Sequence, residues 1–173
     1  MSHQPDEDVQ QISTPQQHAA LAHPVRQRLL FALSGQPSTI SRLAAQLGVN
    51  KGSVSHHLRV LCEAGLVQDA GTRQVRGGTE KYYRRTAQRL LVDEPQAEGT
   101  AAMLGAVAAE TDRSPLEHTL TLRHLRLSPA KAAQLAQALT RLVDEVEEDP
   151  GEPVHGLLVT LYQQHDAGTR TRP

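Results

Sequence analysis

Lys51, Ser53, Ser55, His56 and Arg59 fall within nine residues and carry the most concentrated polar chemistry in the chain. No nucleophile–base pair, phosphate-cradling glycine loop or metal cluster accompanies them, so an enzyme is not expected. What they offer is hydrogen bonding and positive charge. A serine hydroxyl donates or accepts, an arginine fork can grip two acceptors on a guanine edge, and a lysine ammonium suits a phosphate. Gly52, set among them, allows close approach of the backbone to a surface.

The elements that must position these groups are written on either side. Residues 37–66 read as two short helices joined by a tight turn. Ser38 or Thr39 can cap the first, whose apolar stripe is Ile40, Leu43, Ala44 and Leu47. Gly48 supplies the corner and Asn50 caps the second helix, about Lys51 to Ala64, which buries Val54, Leu58 and Leu61. Ala44 is small where the helices cross, and Val54 fills the crossing from the other side. Together these features describe a helix-turn-helix, in which the second helix enters a DNA major groove. His57, beside Leu58, reads as a half-buried positioning residue. Cys62 reads as a packing group, since no second thiol exists to pair with it.

A helix over about 16–33 precedes this motif, with a kink or a fresh start at His23-Pro24. After it, Leu66 to Ala70 reads as a strand, 71–79 as a polar glycine-rich loop, and Glu80 to Arg85 as the returning strand. Such a hairpin makes a wing. Arg73 and Arg76 lie at or near its tip, Lys81 and Arg84 on the return. Tyr82 and Tyr83 alternate in facing, so one packs inward and the other is free for a phosphate; Tyr83 is counted with the candidate interface.

The run from Leu21 to Thr86 resembles the ArsR-like winged helix-turn-helix regulators. The resemblance is carried by His23-Pro24-x-Arg26, by Leu43-Ala44-x-x-Leu47-Gly48, and by the run Val54-Ser55-x-His57-Leu58-x-Val60-Leu61-x-x-Ala64-Gly65-Leu66-Val67. It implies a homodimeric bacterial transcription regulator on an inverted-repeat operator of double-stranded DNA, usually a repressor released by a ligand. The chain departs from the metal sensors of that family. Ile40-Ser41-Arg42-Leu43 stands where a Cys-x-Cys pair is often found. The loose analogue of a C-terminal metal site, His155 and His165 with Glu152 and Asp166, would put its two imidazoles about 80° apart around a helix. No metal or other cofactor is therefore expected.

The net charge of −1 conceals a division along the chain. Residues 19–90 hold eleven basic against three acidic residues, while the segments on either side are acidic. A basic module between acidic ones fits a polyanion partner. Aromatic residues make up 2% of the chain, so its core must be built of leucine, valine and alanine. There is no apolar run of 18 residues and no secretory leader pattern, which leads us to expect a cytoplasmic protein with no membrane partner.

Beyond the wing the signals thin out. Gly99 to Glu110 is an alanine- and glycine-rich helix, suited either to a partner subunit or to internal packing. His118 to Leu127 reads as a strand, Ser128-Pro129 opens a helix reaching about Glu148, and Val154 to Tyr162 reads as a second strand. The expected fold class is thus mainly α (α+β): a winged helix-turn-helix, a helix, and a small strand-helix-strand unit. The expected divisions are a disordered acidic tail over 1–15, the winged domain over 16–92, a dimerisation region over 93–166 that leaves a small-molecule effector open, and a frayed tail over 167–173. The rival to DNA readout is a winged-helix module that contacts protein or RNA through the same surface.

Overall fold

The computed structural model describes residues 9–92, 95–115, 119–149 and 151–163. It divides into two units, one ending at His118 and one beginning at Thr119.

The first unit opens with strand β1 (Val9–Ile12) and helices α1 (Pro15–Leu21) and α2 (Pro24–Ala32). The expected disorder over 1–15 therefore does not hold from Val9 onward, and residues 1–8 lie outside the described part. Ile12 is fully buried, and Thr14 closes a capping box with Gln17, so both ends of this stretch are held. The stretch over 16–33 makes its fresh start at His23-Pro24 and so forms two helices. Pro24 sits at the first turn of α2, where its missing N–H has no partner to lose, and His23 caps that turn. Arg26 donates to the Ala19 and Ala20 carbonyls and Gln27 to that of Leu21, closing the open end of α1.

Strand β2 (Ser38–Thr39) leads into α3 (Ile40–Leu47) and α4 (Lys51–Glu63). Strands β3 (Val67–Val75) and β4 (Gly78–Arg85) form the wing, joined by Arg76 and Gly77 alone. The loop expected over 71–79 is mostly ladder. Its interruption is a register shift between Asp69 and Thr72, where Gly71 takes a φ of 97° and donates to Asp69. Strand β5 (Arg89–Val92) lies parallel to β1, and β2–β4–β3 form a three-stranded antiparallel sheet. Helix α5 (Ala97–Thr111) follows, packed on α2 and α1 with Ala102 and Ala106 buried. Its small face is thus used inside the unit.

One core serves this unit. Leu29 and Leu30 from α2, Leu43 and Leu47 from α3, Val54, Leu58 and Leu61 from α4, and Leu66 and Val67 meet in it, with Ile12 of β1 closing one side. Its members are the light residues that the composition requires.

Among the described residues the second unit holds one helix, α6 (Pro129–Asp144), capped by Ser128, whose hydroxyl accepts from the Lys131 amide. The two strands expected around it are not formed: 119–127 and 152–163 are joined by no ladder among the described residues. A two-stranded sheet has too little backing to stand by itself. Of the apolar stripe, Ala132, Leu135, Leu139 and Val143 are half-buried, while Ala136, Leu142 and Val146 are exposed. Among the described residues no helix is long and apolar enough to cross a membrane.

Candidate nucleic-acid interface

Everything that aims α4 outward is local. Thr39 caps α3 by accepting from the Arg42 amide, and Gly48 turns the corner at φ 68°, a left-handed value that a Cβ would strain. Asn50 then caps α4, its side-chain oxygen accepting from the Ser53 amide at 2.7 Å. Val54, fully buried, and Ala44 fill the crossing between the two helices.

At 100° per residue, Gly52, Ser55, His56, Arg59 and Glu63 share one outward face of α4, flanked by Lys51 and Ser53. All are exposed except Ser53, which is half-buried beside its cap. Arg59 lies 3.3 Å from Nδ1 of His56 and 3.8 Å from Glu63, so the guanidinium is steered along the helix. Glu63 adds a group that the polar pattern alone does not single out. It is a carboxylate at the far end of the face, and its i, i+4 spacing from Arg59 was the available signal. A Cβ on Gly52 would come within 3.3 Å of the Asn50 cap oxygen, so the open backbone there also protects the cap.

The far end of α4 is gripped by the chain's beginning. Gln16 donates to the Glu63 carbonyl, and Gln10 and the Thr86 hydroxyl both donate to the Gly65 carbonyl. The Thr86 hydroxyl also lies 2.7 Å from the Gln10 side-chain oxygen. These contacts fill the acceptors that a helix C-terminus leaves open. None of them was legible in the sequence.

Behind α4, His57 is 9% exposed and stands 4.4 Å, ring centre to ring centre, from His23. His23 Nδ1 accepts from the Val25 amide, which fixes its tautomer, while His57 Nδ1 has no hydrogen-bond partner in the structure. Burial, then His23, Arg26 and His56, lower the pKa of His57 to about 4. Burial and the neighbouring Arg26 and His56 charges lower that of His23 as well. Both rings are therefore neutral at pH 7, and His57 is a packing residue. Burial raises the pKa of the Cys62 thiol, which disfavours the reactive thiolate.

On the wing, Arg73 faces Glu80 in the ladder and Arg76 forms the turn; both are exposed. Arg84 is exposed opposite Gln68. Lys81 meets Asp69 at 2.9 Å across the register shift, and that hydrogen bond raises the lysine pKa and lowers that of the carboxyl. Tyr83 is the tyrosine that packs against the core, with the Lys81 ammonium 5.4 Å from its ring centre. Tyr82 turns its hydroxyl toward Glu80 at 3.4 Å. Among the described residues no group of three or more His, Cys, Asp or Glu could hold a metal ion. His165 and Asp166, weighed above, lie outside those residues.

Residues 23–69 match the family model described as bacterial regulatory protein, arsR family. No curated protein matches the chain in sequence. Among solved structures, the chain is similar to the transcriptional repressor BigR from Xylella fastidiosa, at 21% identity over 57% of this chain and 84% of that one, with a TM-score of 0.36. It is also similar to a possible transcriptional regulator for arsenical resistance, at 24% identity over 79% and 100% of the two chains, with a TM-score of 0.34. A third is the homodimeric winged helix-turn-helix DNA-binding domain of Mb0332 from Mycobacterium bovis, at 24% identity over 59% and 82%, with a TM-score of 0.35.

Proposed function

From a chain whose residues 23–69 match the arsR-family model, we propose a cytoplasmic, sequence-specific DNA-binding regulator, acting as a homodimeric repressor on an inverted repeat. The observation that carries this reading is the outward face of α4. Small and cationic groups stand together there, fixed at one end by the Asn50 cap and at the other by the contacts on Glu63 and Gly65.

In this reading Arg59, Ser53, Ser55 and His56 contact base edges, and Lys51, Lys81, Arg84, Arg73 and Arg76 hold phosphates. Tyr83 enters through Lys81, whose ammonium lies near its ring. Two copies related by a two-fold axis would meet half-sites about one helical turn, roughly 34–36 Å, apart. The division we propose for these tasks is a reading domain over 16–92 and a pairing region over 93–166, which is also where a small-molecule effector would act.

Two expected results test it. Binding to a duplex recovered by selection from random sequences should weaken steeply with salt, because each neutralised phosphate releases counterion. With about five phosphate contacts per protomer the affinity should fall by roughly 10³-fold or more between 50 and 200 mM salt. A flat response would remove the DNA reading, and tighter binding to single-stranded RNA or to a protein would favour the interaction-module alternative. Secondly, Arg59→Ala should weaken the selected duplex by about 1–3 kcal/mol and leave binding to unrelated duplex nearly unchanged. Equal losses on both duplexes would reassign Arg59 to the backbone.

A further inference from the structure

The unit beginning at Thr119 carries two long segments outside any helix, 119–127 and 153–163, that pair with no strand among the described residues. Their side-chain pattern is nevertheless that of sheet. Leu120 and Leu122 alternate with threonines, and Leu157, Val159 and Leu161 alternate along the second segment. A segment of strand-like sequence that enters no ladder can serve as a template for another strand. Here it is joined to apolar surface that a lone chain does not cover. Leu120 is 89% exposed, Leu122 73% and Leu157 68%. Of fifteen large apolar side chains exposed among the described residues, eleven lie between Leu120 and Tyr162, so the deficit belongs to this unit.

We infer that these two segments of one copy form a shared β-sheet with those of a second copy, the two α6 helices covering that sheet. The area matches this occupant. Burying eleven such groups at roughly 60–100 Å² each would remove on the order of 700–1,100 Å² per protomer from water. A stable pair needs about 800 Å² per partner. The charges match it too. The first segment carries Arg123 and Arg126, and the stretch after α6 that leads to the second carries Glu147, Glu148, Asp149 and Glu152. One basic and one acidic end on the same unit meet their opposites when two copies are related by a two-fold axis. A sheet of four strands also removes the weakness of a two-stranded one. The inference deepens the homodimer part of the function proposed above by naming the surface, and it does not depend on DNA binding.

The experiment is hydrogen exchange and isotope-filtered NMR on the full chain, refolded from equal amounts of labelled and unlabelled protein, with the mass read by sedimentation. Amides within 119–127 and 154–163 should exchange about a hundredfold or more slower than free chain, and contacts between labelled and unlabelled copies should arise from both segments. Leu122→Asp, which replaces a side chain exposed in the single copy, should abolish that protection while amides within 43–66 keep theirs. Fast exchange in the wild-type segments, or protection with contacts arising solely within one copy, would overturn the inference. If the mass is that of a dimer but the segments exchange fast, the shared sheet is wrong and the homodimer stands. A monomeric mass overturns both.

Discussion

Leu58→Ala is expected to cost about 2–5 kcal/mol of folding stability, the range for emptying a leucine site inside a packed core. Leu58 lies on the inner face of α4, 1% exposed, in the cluster that includes Leu43, Leu61 and Leu66. A core with almost no aromatic residues has few large groups able to collapse into the space, which favours the upper part of the range. For a unit of this size the melting temperature should fall by on the order of 10–30 °C. Val75→Ala, near the tip of the wing and partly exposed, serves as the control and should melt close to wild type. Thermal unfolding followed by circular dichroism compares the three. If Leu58→Ala melted with the control, then α4 would not be held by its buried face, and the account of how the interface is aimed would fall with it.

The second large effect depends on pH. The pKa of His57 is lowered from 6.5 to about 4, so the folded chain binds fewer protons than the unfolded chain between those values. Stability from this residue is therefore complete above about pH 6.5, is lost as the pH falls toward 4, and changes no further below that. Over the whole window the loss is on the order of 3 kcal/mol. His23 acts with the same sign, because a proton on its Nδ1 would displace the Val25 amide from the cap of α2. Urea unfolding at several pH values should show the wild type losing stability more steeply between pH 6.5 and 4.5 than His57→Gln does. The lowered Asp69 carboxyl also loses its contribution in acid, but it does so in both proteins and cancels in the comparison. Parallel curves would mean that the His23–His57 contact carries no protonation cost.

The parts of the molecule that read well from sequence are those whose causes are local. Thr39, Gly48 and Asn50 each act within three residues of the helix end they define, so the turn and the exposed face of α4 were legible as text. The wing was legible in outline, though its ladder runs further because the turn needs two residues and the interruption sits at Gly71. Strands β1 and β5 were not legible. Val9 pairs with Arg89, and in VQQI a single apolar residue, Ile12, is buried. A polar tetrapeptide gives no sign that it is a strand when its partner is far away. The C-terminal segments failed in the opposite way. Their apolar content is that of strands, but a ladder needs a partner strand, and within one chain the described residues supply none. For the interface, the outward groups were recognisable by type. That Tyr83 packs inward was not, because the facing of a strand depends on its register with β3 and with Ser38 of β2.

The pairing of β1 with β5 has a consequence in time. The polypeptide leaves the ribosome from its amino end, so Val9 to Ile12 emerge before their partners Arg89 to Val92, which are made some eighty residues later. At about 5–20 residues per second this is an interval of several seconds. Throughout it Ile12 has no neighbouring strand, and Gln10 has neither the Gly65 carbonyl nor Thr86 to meet until those are made. Strand β1 is thus seated only after β5 has been made, and the far end of α4 receives the Gln10 and Thr86 contacts only once both stretches are in place.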